Sequence, residues 1–397
     1  MPDVVVIGGG IIGAACADEL TRRGASVTLV ERDELAAGAS GRNQGLWVPP
    51  EDLALHELAS RSLARYLEVR DEAPLPVWID PLPVGTVVVA VDEPSRQGAD
   101  EILGELSGAG FAIEALDAPA LAEVEPGVAE DLAGAWFVEA GHRLDPAALT
   151  IALALIAASR GASIRHHLSA RALLERGERV SGVVTDEGVI EADEVVVAAG
   201  PWSPRLLEPL GVRVPVVGVR GWLVRVEPGT ALVRHLVRTI ERPGPIERPS
   251  AGDIARDGLP PSDGYGSLVH PHPDGTAVIG SSRAVWLAPE PEDPSVPQRI
   301  LAEAIRVVPR LAEAPVVSSW WGLRPMTPDE RPLIGRVREG LVVATGHGSE
   351  GVINGAGTGE LVAAIVSGEP PPFDASAFDP FRFDRDASAR ESAGFAE

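Results

Sequence analysis

The chain contains no lysine, so all 34 of its cationic side chains are arginines. Schiff-base chemistry, a lysine general base and a lysine that activates oxygen are therefore excluded. Cys16 is the only cysteine, which rules out an intrachain disulfide and a thiolate metal cluster. Inside a helical run it reads as a small buried hydrophobe. No apolar stretch reaches the roughly 18 residues that a membrane-spanning helix needs. An apolar strand begins at Val4, which leaves no room for a signal peptide ahead of it. These features predict a cytoplasmic protein. Positive charge is also scarce: 34 cations against 58 carboxylates give a net charge of −24. That balance argues against a nucleic-acid partner, because phosphate binding needs clustered cations.

The eight histidines form no H-x-x-x-H or H-E-x-x-H pattern. His166 and His167 are neighbours, and adjacent side chains on a helix or a strand point in different directions. His270 and His272 are two apart in a predicted strand and so share a face, yet no cysteine or further histidine lies nearby in the sequence to complete a metal site. No metal is expected.

What the chain does contain is glycine, 43 residues of 397. The apolar strand Val4 to Ile7 runs into Gly8-x-Gly10-x-x-Gly13, followed by a helical run, Ala14 to Arg23, closed by Gly24. This is a dinucleotide cradle. Gly8 permits a tight turn, Gly10 lets backbone approach a pyrophosphate, and Gly13 lets the helix pack closely on the strand. The phosphates would sit at the helix N-terminus beside Ile11 and Ile12, where unpaired N–H groups and the helix dipole favour an anion. A second strand, Ser26 to Val30, ends on Glu31 and Arg32. A carboxylate at that place holds a ribose hydroxyl and disfavours NADP.

Three segments read as pieces of one nucleotide domain: 1–50, 141–210 and 320–383. The second has a helix start at Asp145-Pro146, a helix from Ala147 to Arg160, and an apolar run from Glu194 to Ala199 ending in Gly200. The third has a strand from Leu341 to Ala344, a glycine-rich turn from Gly346 to Gly351, and a helix through Gly359 to Val366. Segments 51–140 and 211–319 carry strand signals at Gly85 to Val91, Ala135 to Val138, Val214 to Val226 and Ala277 to Gly280. They are expected to form a second domain whose mixed sheet roofs the cofactor. Residues 242–266 read as a long loop, and 384–397 as a frayed tail.

The run Ala39-Ser40-Gly41-Arg42-Asn43-Gln44-Gly45 resembles the flavin loop of the glycine oxidase and D-amino-acid oxidase/dehydrogenase family. Three more blocks are similar to that family: Ala198-Ala199-Gly200-Pro201-Trp202-Ser203, Trp321-Gly322-Leu323-Arg324-Pro325-Met326, and the C-terminal turn Gly346-His347-Gly348-Ser349-Glu350-Gly351. With Gly8 to Gly13 they occur in the family's order and span nearly the whole chain. The resemblance implies an α/β fold: a discontinuous, Rossmann-like FAD-binding domain and a second α+β substrate domain on a mixed, mostly antiparallel sheet. It implies FAD rather than NAD, contacted by Gly8, Gly10, Ile11, Ile12, Gly13, Glu31, Arg32, Ser40, Gly41, Arg42, Asn43, Gln44 and Gly45 and by Ala170, Ala199, Gly200, Trp202, Gly348, Ser349, Glu350, Gly351 and Val352. No cysteine or histidine stands where some relatives attach the flavin, so the FAD is expected to be non-covalent. By the same resemblance Arg324 clamps a substrate carboxylate and Tyr265 lies near it; Arg220 and Arg283, each bordering a predicted strand of the roof, are backups. A guanidinium suits such a bidentate grip on a planar anion.

The implied reaction is removal of a hydride from the Cα of an amino acid or N-alkyl amino acid of glycine, D-amino-acid or secondary-amine type. The resulting imine hydrolyses to an oxo acid. Once the amine arrives neutral, orientation and the flavin's own electronics supply most of the barrier reduction. The missing lysine shifts the expected acceptor from O2 toward a quinone or carrier protein. Two alternatives stay open. A 2-hydroxy acid dehydrogenase would need a base for the hydroxyl proton, with His270 or His347 as candidates. Alternatively, the chain is the flavin subunit of a larger amine dehydrogenase complex, active only with its partner. Either a homo-oligomer or a partner subunit is compatible with the sequence.

Overall fold

The computed structural model describes residues 2–240, 264–286 and 293–383. The loop expected at 242–266 and the tail at 384–397 lie largely or wholly outside these residues.

Alternation along the first strand, Asp3–Ile7, builds the nucleotide domain. Val4 and Val6 face one apolar cluster, shared with Leu20, Leu153 and Val362 of three helices. Val5 and Ile7 face another, shared with Val180 and Val183. A strand buried on both faces belongs at the centre of a parallel sheet. Here it lies between Ser26–Val30 and Glu194–Val197, parallel to both. Ser163–Arg165 extends the sheet on one side, and Leu341–Thr345 followed by Leu333–Arg338 extends it on the other. Only the last pairing is antiparallel. A three-stranded antiparallel sheet, Ala170–Arg176, Arg179–Thr185 and Gly188–Glu191, supplies Val180 and Val183 to the second face.

The helices Ile11–Arg22, Pro146–Ser159 and Gly351–Ser367 cover the first face. Asp145 starts the middle one by accepting hydrogen bonds from the Ala147 and Ala148 N–H groups. The first and last helices touch backbone to backbone: a Cβ at Gly359 would lie 2.6 Å from the Ala15 carbonyl oxygen. A fourth helix, His56–Glu72, joins this group although it falls within segment 51–140. Leu58 and Tyr66 are fully buried in the same cluster, and Arg65 pairs with the buried Asp18 at 2.9 Å. Removing one partner of such a buried pair costs about 3–5 kcal/mol, so the helix is anchored to the nucleotide domain.

The second sheet has eight strands in the order Val316–Met326, Val217–Val226, Ala277–Val285, Gly264–Pro271, Leu236–Thr239, Thr86–Ala90, Gly134–Val138 and Ile113–Ala115. The pairing of Leu236–Thr239 with Thr86–Ala90 is parallel and the others are antiparallel. The sheet is mixed and mostly antiparallel, as the sequence predicts. Helix Ser295–Val307 packs Ile300, Ala304 and Val307 against one face, and helix Glu93–Gly108 packs Ile102 and Leu103 against the other. The boundary expected at 320 falls inside a strand. Residues 316–326 pair along their length with 217–226, so Arg324 belongs to this second sheet. No helix among the described residues is long and apolar enough to cross a membrane.

Candidate active site

The two sheets and the starts of the first and last helices enclose a cavity of about 980 Å³. At its nucleotide end Gly8 has φ +113°. A Cβ on Gly8 would lie 2.4 Å from the Ala198 carbonyl oxygen, and one on Gly13 would lie 1.9 Å from the Gly8 carbonyl oxygen. Gly10 caps the first helix, and Gly10, Ile11 and Ile12 line the cavity. The Ile11 N–H donates to the Ser40 hydroxyl at 2.9 Å, which ties the loop at 39–45 to the helix start. Gly13 and Gly41 shape the wall from behind and do not line it.

Glu31 is fixed by its own neighbours. Its carboxylate accepts the Gly9 N–H at 2.6 Å and the Asp33 N–H at 2.8 Å, and the residue borders the cavity. An oriented carboxylate beside a steric glycine cradle and a helix N-terminus fits the adenosine pyrophosphate half of FAD. Arg32 stacks its guanidinium 3.8 Å above the Trp202 ring. Both line the same end, with Ala170, Ala199 and Gly200.

The loop at 39–45 is stapled by its side chains. Arg42 donates from Nε to the Ala37 carbonyl at 2.9 Å and from Nη1 to the Trp321 carbonyl at 3.3 Å. Asn43 donates to the Ser40 carbonyl at 2.7 Å and accepts the Gly45 N–H at 2.9 Å. Gln44 reaches across to the Leu268 carbonyl at 3.4 Å. Ser40, Arg42, Asn43, Gln44 and Gly45 all line the cavity, as do Gly348, Ser349, Glu350, Gly351 and Val352 opposite.

Of the three candidate catalytic residues, Arg324 alone has its side chain placed at the cavity. It lies close over Gly221, where a Cβ would sit 2.0 Å from its Nη1. Nη1 donates to the Ser282 carbonyl at 3.0 Å and Nη2 to the Ser281 hydroxyl at 2.8 Å. Among the described residues no carboxylate pairs with it. Burial, helped by the nearby charge of Arg283, pulls its pKa down to about 10. Arg283 itself is paired with Glu330 at 3.0 Å, and Arg220 lies on the neighbouring strand.

His270 is corrected. It is fully buried and absent from the cavity wall. Its Nδ1 donates to the Gln44 carbonyl at 2.6 Å, and its ring packs 4.4 Å from that of His272 and 6.5 Å from that of Trp78. Burial, then the neighbouring His272, push its pKa well below the usual histidine value. Its hydrogen bond ties this roof strand to the back of the loop at 39–45, and its ring packs among the aromatic rings of Trp78 and His272. Tyr265 pairs through its backbone with Ser282, and its side chain lies outside the described residues. His347 does line the cavity, but its Nε2 is 3.0 Å from the Thr358 hydroxyl and burial lowers its pKa to about 3. A base that weak accepts a proton poorly.

Two features were not legible in the sequence. Glu350, expected only as an FAD contact, is a half-buried carboxyl whose pKa is raised to about 7, first by burial and then by the charge of Glu51. Arg238, ion-paired with Glu51, also lines the cavity. Glu51, which contributes to the first and makes the second, carries no motif, so no local pattern signals either.

A family model described as FAD dependent oxidoreductase matches residues 3–365. Over 396 residues the chain is 31% identical to the bifunctional protein ThiO/ThiG of Trichormus variabilis, covering 97% of this chain and 56% of that protein. The chain thus spans about half the length of its ThiO/ThiG relatives. It is 28% identical over 392 residues to the glycine oxidase of Geobacillus kaustophilus, covering 95% of this chain and 96% of that one. The crystal structure of glycine oxidase from the same organism superposes with a TM-score of 0.83 at 26% identity, covering 96% of this chain and 98% of that chain.

Proposed function

The chain belongs to the DAO family of FAD dependent oxidoreductases, and from that premise we propose that it oxidises the Cα of an amino acid or N-alkyl amino acid carrying a free carboxylate. The observation that carries this reading is Arg324: a half-buried guanidinium at the cavity wall, bonded only to neutral oxygens among the described residues. A guanidinium that faces the cavity and meets only neutral acceptors is matched by a ligand carboxylate.

FAD, when bound, supplies the two-electron acceptor. Glu31 would hold its ribose, and the first-helix N-terminus its pyrophosphate. Arg324 binds and orients the substrate carboxylate, with Ser281 and Ser282 fixing the guanidinium's direction. Leu223, Leu268 and Trp321 line the roof of the cavity and exclude water around the reacting carbon. Little proton transfer is required of the protein when the amine enters neutral. The hydroxy-acid alternative loses support, since His270 faces away from the cavity and His347 is a weak base.

The deciding experiment is an anaerobic titration of the yellow holoprotein with glycine, sarcosine, D- and L-amino acids, proline and 2-hydroxyglutarate. Bleaching of the flavin's visible band by an amino acid supports the proposal and identifies the substrate. Bleaching by the hydroxy acid alone refutes it. The rate of recolouring in air then separates an oxidase from a dehydrogenase.

A further inference from the structure

We propose that Glu34, His166 and His167 form a binding site for a single divalent transition metal of the zinc type, at the outer rim of the nucleotide end of the cavity. The sheet brings these residues together. Strands Ser26–Val30 and Ser163–Arg165 run parallel, with Val30 opposite Arg165, so the loops that follow them leave the sheet side by side. Three backbone hydrogen bonds lace the loops: the Glu31 N–H to the Arg165 carbonyl at 2.9 Å, the His167 N–H to the Asp33 carbonyl at 3.2 Å, and the Leu168 N–H to the Glu31 carbonyl at 2.8 Å. The two loops that carry the three side chains are thus held side by side by backbone.

Adjacent histidines on a regular helix or strand diverge, and that is why the sequence predicts no shared ligand here. His167 is in neither conformation. Its φ of +58° is left-handed, and the turn brings its ring to the same side as that of His166, with centroids 4.8 Å apart. Both rings meet one carboxylate. His166 Nδ1 is 3.3 Å from one Glu34 oxygen, and His167 Nε2 is 2.8 Å from the other. All three donor atoms lie within 4.8 Å of one another. Metal–ligand bonds of about 2.0–2.2 Å put the ligand atoms of a tetrahedral zinc site about 3.4 Å apart. Exposed side chains close that remaining distance by small rotations. Two imidazole nitrogens and one carboxylate oxygen leave a fourth position for water, a donor set that suits zinc and disfavours calcium or magnesium.

Glu34 and His167 also border the cavity, beside Glu31 and Arg32. A bound ion would therefore join the two loops that flank the adenosine end of the cofactor site. This inference does not depend on the identity of the substrate.

The test uses tag-free, chelator-treated holoprotein titrated with zinc chloride in a calorimeter, with thermal unfolding followed in parallel. The expected result is one zinc per chain, a rise of unfolding temperature with zinc, and at least tenfold weaker binding in Glu34→Gln and in His167→Asn. Asparagine tolerates the left-handed backbone, so His167→Asn removes the ligand without forcing a refolded turn, and the flavin absorbance of each variant reports that the fold is intact. His235, which pairs with Glu125 elsewhere, serves as control: His235→Asn keeps wild-type zinc affinity. Absence of stoichiometric binding in the wild type, or unchanged affinity in both rim variants, overturns the proposal.

Discussion

Nδ1 of His270 donates a hydrogen bond of 2.6 Å to the carbonyl oxygen of Gln44, joining the buried side of the roof to the loop that lines the flavin cavity. With burial holding the imidazole neutral, this bond persists across the whole range in which ordinary histidines titrate.

Replacing that donor is the first prediction. His270→Ala leaves the Gln44 carbonyl unsatisfied in a buried setting, at about 1–3 kcal/mol. FAD should bind about 5- to 150-fold more weakly, because the loop it contacts is no longer held, and fluorescence titration of the released flavin measures the change. A variant with wild-type FAD affinity would remove the positioning role.

Arg324 should separate charge from shape. Charged hydrogen bonds are worth about 1.5–3 kcal/mol each, so Arg324→Ala is expected to lower kcat/KM at least 10- to 100-fold while the FAD spectrum stays intact. Arg324→Lys should recover little, since an ammonium lacks the planar fork that matches a carboxylate. Equal rescue by lysine would mean that the site needs only a positive charge.

At Gly13 the prediction is steric. A methyl group would lie 1.9 Å from the Gly8 carbonyl oxygen, so Gly13→Ala must push the first helix off its strand. The purified variant should contain little FAD and unfold at a lower temperature. Stoichiometric flavin in this variant would contradict the cradle geometry.

Glu350 makes stability depend on pH. Its carboxyl rises from an ordinary 4.5 to about 7 in the folded chain, through burial and the charge of Glu51. A folded-state value above the unfolded one favours folding fully below 4.5, and that contribution is lost as the pH rises through about 7. In FAD-free protein, Glu350→Gln should flatten the fall of the denaturant midpoint between pH 4.5 and 7. Parallel curves for the two proteins would show that the carboxyl does not titrate in that window.

The residues legible in the sequence are those whose chemistry is local. Gly8, Gly10 and Gly13 announce a turn and a close approach within six positions, and Asp145-Pro146 announces a helix start, so four strands of the nucleotide sheet and the three helices on its face were legible in the chain, while the strands at 163–165 and 333–338 were not. Less legible was anything decided by distant packing. His270 and His272 do share a strand face, yet whether that face meets the cavity or Trp78 is set by residues nearly 200 positions earlier. Residues 320–326 read as part of the nucleotide domain because the next strands belong there, whereas their hydrogen bonds go to 217–226. The helix His56–Glu72 likewise joins the nucleotide core through Asp18, a partner that no local pattern marks.

The contact between Ala15 and Gly359 places the first helix of the chain directly against the last long one. On a ribosome the glycine cradle emerges before either sheet is complete, and its surroundings stay incomplete until the strand at 341–345 and the helix behind it have followed. Until then the nascent polypeptide has only part of its cofactor cavity and an uncovered apolar helix face. Flavin capture thus waits for synthesis to pass residue 367, and retained yellow colour reports a polypeptide intact through the helix Gly351–Ser367.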